Sequence, residues 1–169
     1  ARCAGSRGCL MATIEQSVMI ERGSSHDLDS VMNVMDLAFG QRFGEAWTRS
    51  QLAGILPMAG VSLMLARDPY STETVGFSLV RAVADESELL LIAVLPTHHR
   101  RGVGSQLLRD FVERARNDGV ARVHLEVRDG NPAVAMYRSV GFVPVGRRRN
   151  YYQAFDGRRF DAITLAYQL

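Results

Sequence analysis

The sequence predicts an α/β domain built on a mixed, mainly antiparallel sheet of about seven strands. Three observations predict it. An unbroken apolar run, Leu89-Leu90-Leu91-Ile92-Ala93-Val94-Leu95, has the length and composition of a buried strand. It runs through Pro96 into His98-His99-Arg100-Arg101-Gly102-Val103-Gly104-Ser105, which opens an amphipathic segment. Further on, Arg122-Val123-His124-Leu125-Glu126-Val127-Arg128 alternates strictly, the period of a half-buried strand.

The remaining elements follow in order. Residues 17–21 read as a short strand, and Ser24-Ser25 cap a helix in which Leu28, Val31, Met32, Met35 and Phe39 recur at helical spacing. Gly40 and Gly44 break it, and a short helix over 48–56 ends at Pro57 and Gly60. Residues 61–67, 74–84 and 89–95, separated by turns at Asp68-Pro69-Tyr70-Ser71 and Asp85-Glu86-Ser87, read as an antiparallel meander.

From Ser105 to Asn117, Leu107, Leu108, Phe111, Val112 and Ala115 form one stripe, and Gly119 supplies the stop. On the alternating strand Val123, Leu125 and Val127 point one way, so His124 and Glu126 point the other. Asn131 and Pro132 suit the N-cap and first position of a helix that runs through Tyr137 and closes at Gly141. Residues 142–152 and 160–169 flank an Asp156-Gly157 turn as a last hairpin.

The chain has 169 residues, 47% hydrophobic and 22% charged, enough apolar material for one core. Its net charge of +2 does not suit a protein that coats nucleic acid. No apolar stretch nears the ~20 residues that cross a bilayer, so neither membrane nor direct nucleic-acid binding is expected. All twenty basic residues are arginine, which reads as a genome composition bias. Cys3 and Cys9 are the sole cysteines, giving no disulfide framework and pointing to a reduced, cytoplasmic setting. Residues 1–16 read as a disordered tail, with 1–10 a vector remnant or an over-extended start before Met11, and 17–169 as one domain.

The glycine string carries the first chemical expectation. Two glycines spaced by one residue let backbone N–H groups turn toward a ligand, the helix dipole favours negative charge there, and Arg100 and Arg101 add full charges. The expected guest is a phosphorylated cofactor. His98 and His99 have no third ligand nearby, so no metal is expected.

Strand, glycine loop, helix, strand with an outward glutamate, helix with a tyrosine, then hairpin: in that order the chain resembles the GCN5-related N-acetyltransferases. The family pattern of Gln or Arg, two residues, Gly, one residue, Gly or Ala appears as His99-Arg100-Arg101-Gly102-Val103-Gly104, with histidine replacing the usual first residue. The resemblance runs from about Val18 to the end and is nearest the bacterial ribosomal-protein-alanine, or RimI-like, subgroup. It is carried by Ile92-Ala93-Val94, His124-Leu125-Glu126-Val127-Arg128, Met136-Tyr137-Arg138-Ser139-Val140-Gly141-Phe142 and Arg148-Arg149-Asn150-Tyr151-Tyr152. Asp156-Gly157-Arg158 and Asp161-Ala162-Ile163 extend the last string.

The resemblance implies a sheet splayed near residues 92–94, helices on both faces, and acetyl-CoA as donor. It implies that the backbone of Ile92, Ala93 and Val94 holds the acetyl and pantetheine arm. It likewise implies that Arg100, Arg101, Gly102, Val103, Gly104 and Ser105 cradle the pyrophosphate, with Asn131 also touching the cofactor. Glu126 matches the family's general base and Tyr137 its general acid. Trp47, Phe39 and Phe43 fall where this superfamily builds its acceptor groove, against a plain core role. Tyr151 and Tyr152 stand as acceptor wall or hairpin packing, and Arg147-Arg148-Arg149 as a solvated face or a ribosome contact.

An α-amine with pKa near ~7.8 is about one-seventh neutral at pH 7, whereas a lysine near ~10.4 is neutral only about once in a few thousand molecules. A protein N-terminus thus needs less help from a base, and the resemblance implies acetyl transfer to such an α-amine, a ribosomal protein's for example, by direct attack in a ternary complex. A lysine or small-amine acetyltransferase, and a non-catalytic acyl-CoA sensor, remain the alternatives.

Overall fold

The structure is a computed structural model that describes residues 17–40 and 42–169. The reading of residues 1–16 as a tail lies outside the described residues, as do both cysteines. The strands are β1 (Met19–Arg22), β2 (Val61–Arg67), β3 (Thr74–Val83), β4 (Glu86–Val94), β5 (Arg122–Arg128), β6 (Val143–Gln153) and β7 (Arg159–Gln168). The helices are α1 (Leu28–Phe39), α2 (Arg49–Ile55), α3 (Val103–Asn117) and α4 (Val134–Val140). One seven-stranded sheet runs β1-β2-β3-β4-β5-β7-β6, antiparallel throughout except for the β4–β5 pair.

Both faces are covered because the central strand requires it. Residues 74–80 of β3 are all buried, and alternation sends successive side chains to opposite faces. On one face Gly76 lies against Leu107 and Val103 of α3, and Val80 joins Leu108 and Phe111. On the other, Phe77 and Leu79 meet Val31, Val34 and Met35, the apolar stripe of α1.

Several local signals act differently from the sequence expectation. Ser24 caps a single 3₁₀ turn through a capping box with Asp27, and the α-helix starts only at Leu28. The β3–β4 turn is tighter than expected: Val83 pairs with Glu86, leaving two residues between the strands, and Ala84 takes φ 54°. The long helix begins at Val103, two residues early.

The reading of Asn131 and Pro132 as N-cap and first helical position is corrected. The α-helix starts at Val134, two residues later than expected; Asn131 Oδ1 still accepts from Ala133 N at 2.9 Å, capping the turn that leads into it, where Val134 N donates to Asn131 O and Ala135 N to Pro132 O.

At the far edge, β6 is exposed along nearly its whole length. Its ladder with β7 is broken twice, at Val145 and over residues 149–151, where Asn150 has φ 53°.

Candidate active site

The site starts from a failure of pairing. β4 and β5 run parallel and pair from Glu86↔Arg122 to Leu89↔Leu125, where the ladder ends. Leu90 is bulged out of the β3 ladder at the same point, since Leu79 pairs with Leu91 and Val80 with Leu89. A bulge adds local bend and twist, so the two strands diverge and the last five residues of β4 lose their partner on the β5 side. Their backbone N–H and C=O groups on that side are left for a ligand.

The notch lets the two faces of the sheet meet. Tyr137 belongs to the apolar cluster of Val123, Leu125 and Val127, whereas Glu126 points away from those residues. Both nevertheless line one cavity, with Phe39, Glu45, Trp47, Ile92, Asn131, Tyr151 and Tyr152. Tyr137 is 5% exposed, and its ring meets Phe142 edge-on at 6.2 Å. Burial first, and the Glu45 charge second, hold its phenol above its ordinary range, so it stays protonated at neutral pH.

Glu126 is anchored from β6. Its Oε1 lies 2.7 Å from Arg148 Nε, and its backbone carbonyl accepts from the Tyr152 hydroxyl at 3.3 Å. Burial, with neighbouring charges that include Glu45, holds Tyr152 above the usual phenol range, and burial with Glu126 does the same for Tyr151.

The glycine turn fits an anionic guest. Gly102 caps α3 at φ 81°, a left-handed conformation that glycine adopts without a Cβ penalty. The helical ladder opens with Gln106 N donating to Gly102 O at 2.9 Å, so the amides of Val103, Gly104 and Ser105 precede it, and no side chain caps them. Arg100 and Arg101 are exposed beside these donors. A Cβ at Gly104 would stand 3.0 Å from Met136 Sδ and 3.7 Å from Val94 Cγ2. This close approach seats the turn between the open end of β4 and the residue next to Tyr137. Uncapped amides, a helix N-terminus and two guanidinium groups suit a pyrophosphate.

The structure thus places the expected residues in two adjoining groups. Glu126, Tyr137, Ile92 and Asn131 line the cavity. Ala93 and Val94 continue β4 toward Gly102, Val103, Gly104 and Ser105; Val103 is 1% exposed and offers only its amide. His99 Nε2 donates to Val94 O at 2.9 Å and ties the turn to the strand. Asn131 Nδ2 donates to Glu45 Oε1 at 3.0 Å. Phe39 and Trp47 line the cavity while also packing on the core, and Phe43 instead lies 3.7 Å under the Arg128 guanidinium.

Glu45 is the residue the sequence reading missed. It lies in the loop between α1 and α2, its side chain 11% exposed, with Oε1 3.3 Å from Arg128 Nε. The alignment there makes an ion pair but no hydrogen bond. A single acid among glycines and aromatics carries no periodicity, so no sequence signal marked it. Among the described residues no group of three or more His, Cys, Asp or Glu side chains could hold a metal ion. No helix among them is long and apolar enough to cross a membrane.

Comparison with known proteins agrees with this geometry. The family model of the acetyltransferase (GNAT) family matches residues 28–142. The [Ribosomal protein bS18]-alanine N-acetyltransferase of Escherichia coli K12 is 44% identical over 91 residues, 53% of this chain and 61% of that protein. The N-alpha-acetyltransferase RimI of Mycobacterium tuberculosis is 51% identical over 69 residues, 40% of this chain and 42% of that one. The match thus spans about three fifths or less of the length of these two curated relatives. The crystal structure of the ribosomal-protein-S18-alanine N-acetyltransferase from Escherichia coli superposes with a TM-score of 0.80 at 30% identity, covering 90% of this chain and 94% of that one. With the notch, the glycine turn and a family match over most of its length, the chain belongs to the GNAT acetyltransferase family.

Proposed function

We propose that this protein transfers the acetyl group of acetyl-CoA to the α-amine of a protein N-terminus, a ribosomal protein's above all, in the cytoplasm. One observation carries the reading: a carboxylate from one face of the sheet and a protonated phenol from the other line a single cavity beside a phosphate-suited helix start. The names of the similar proteins, which act on ribosomal protein bS18 or on α-amines, support the same acceptor class.

Arg100, Arg101 and the amides of Val103, Gly104 and Ser105 would hold the pyrophosphate, and the open edge of β4 at Ile92, Ala93 and Val94 the arm. Bound there, acetyl-CoA supplies an acetyl group activated as a thioester. Glu126 removes a proton from the acceptor ammonium, directly or through water, so that a neutral nitrogen attacks, and the further proton that the nitrogen must lose once bonded to the carbonyl carbon leaves by the same carboxylate or water to solvent. Backbone N–H groups of the unpaired β4 edge stabilise charge developing on the carbonyl oxygen. Tyr137, kept protonated by its burial, donates to the departing sulfur. The sequence has no cysteine beyond Cys9, which favours direct transfer over a cysteine-bound acyl group. Cys3 and Cys9 lie outside the described residues. Asn131 supports the acceptor side through Glu45.

The test is thiol release from acetyl-CoA with a panel of peptides whose N-termini are free or blocked. Turnover on free N-termini alone is the expected result. Turnover on N-blocked lysine peptides would move the acceptor to the side chain, and cofactor binding without turnover would leave a sensor.

A further inference from the structure

Resting on the acetyl-transfer reading, we propose that Arg148 fills the ammonium position of the acceptor site and is displaced when a cationic acceptor docks on Glu126. The ion pair is one-sided. The Glu126 side chain is 11% exposed and belongs to the cavity wall, whereas the Arg148 side chain is 63% exposed and is absent from the residues lining the cavity. Arg148 therefore covers the carboxylate from the rim as an ion pair, its Nε 2.7 Å from Oε1, and leaves most of its guanidinium in water.

Its backbone setting suits withdrawal. Arg148 is the last β6 residue paired before the ladder breaks, and the chain bulges over residues 149–151 before pairing resumes at Tyr152↔Phe160. β6 is the edge strand, with β7 as its sole neighbour. Turning the Arg148 side chain outward therefore disturbs no further strand, and what it gives up besides Glu126 is the Tyr151 ring, whose centroid lies 5.6 Å from the guanidinium.

The wall beneath is acidic. Among the described residues, Glu45, Glu88 and Glu126 line the cavity, and no Arg or His side chain does. Of these, Glu45 already has Arg128 at 3.3 Å and Glu88 has Arg81 at 3.9 Å. Glu45 is tied to the buried Arg128, so the carboxylates with exposed cations are Glu88 and Glu126; of these Glu126 is the more buried, 11% exposed against 28%, and the one whose partner is the more exposed, so an incoming ammonium gains most there. An ammonium that replaces the guanidinium recovers the same attraction, while a neutral or anionic acceptor does not. The site thereby admits cations.

An exposed pair of this kind resists separation by a factor of about two to five. The experiment measures KM and kcat for a free-N-terminal peptide, and KM for acetyl-CoA, at low and physiological ionic strength in wild type, Arg148→Met and Arg148→Lys. The expected result is a roughly two- to fivefold lower peptide KM in Arg148→Met at low salt, narrowing as salt screens the wild-type pair. The KM for acetyl-CoA should stay unchanged, and Arg148→Lys should restore the wild-type value. A raised peptide KM, or a lower kcat at unchanged KM, would overturn the proposal by making Arg148 a holder of the acceptor or of Glu126. Should Arg148→Met not fold, Arg148→Gln repeats the measurement; failure of both to fold would show a structural cation and also overturn it. Absence of thiol release by wild type on every peptide would instead remove the transfer reading, and this proposal with it.

Discussion

Asn131 Nδ2 donates to Glu45 Oε1 at 3.0 Å, joining the corner between β5 and α4 to the loop between α1 and α2 across 86 residues of sequence. The same oxygen faces Arg128 Nε at 3.3 Å, and the Arg128 side chain is 9% exposed between the Phe43 and Phe160 rings. One carboxylate thus fixes the wall of the cavity and neutralises a buried cation.

Glu45→Ala should therefore destabilise the fold by about 3 kcal/mol, the cost of leaving a buried charge without its partner. The ring faces that remain against Arg128 offset part of the loss. Denaturant unfolding checks this; a change below about 1 kcal/mol would show that the aromatic cage alone suffices.

Glu126→Gln should lower kcat/KM for a free N-terminus by about 100-fold at neutral pH, the lower part of the usual range for a positioned base. Titration calorimetry should find acetyl-CoA affinity unchanged, because Glu126 stands on the acceptor side of the notch. A large loss of affinity would contradict its role.

Tyr137→Phe removes a hydroxyl and almost no volume, so kcat should fall about 10- to 100-fold with little change in acceptor KM. The pH profile tests the same residue. A phenol held above its ordinary range stays in the acid form as pH rises, so it adds no falling limb below about pH 10. At saturating acceptor, kcat should climb toward a plateau as the bound α-amine, near ~7.8 in a free peptide, deprotonates. A decline that begins near pH 8 would assign the donor elsewhere.

Gly102→Ala forces a side chain into φ 81° at the head of α3, a strain of about 1 kcal/mol or more. Relief by rotation of the turn would swing the amides of residues 103–105 off their common target. Acetyl-CoA affinity should fall about tenfold or more while the thermal midpoint drops by a few degrees, about what that strain gives. Unchanged affinity would remove the glycine turn from the cofactor site.

Much of this architecture was legible because it is written in local periods. Alternation in residues 122–128 placed Glu126 opposite Val123, Leu125 and Val127, and the stripe from Leu107 to Ala115 set the buried face of α3. Contacts between distant segments were not legible. The Leu90 bulge depends on how β4 meets β3, and Glu45 depends on Arg128 and Asn131, which no spacing links to it. His99 shows the same limit: it stands where the family pattern has Gln or Arg, and its partner, the carbonyl of Val94 five residues earlier, is marked by no spacing. Arg148 looked like one member of a solvated run until the β6 bulges aimed it at Glu126.

The interruptions of β6 matter beyond the chemistry. An eleven-residue outer strand with Val143 and Val145 uncovered would, if straight, offer a template for another molecule to zip onto. Pro144 withholds one donor, and the kinks at Val145 and residues 149–151 spoil the repeat. The margin of the molecule is thereby guarded against fibre-like self-association by the same irregularities that shape its catalytic rim.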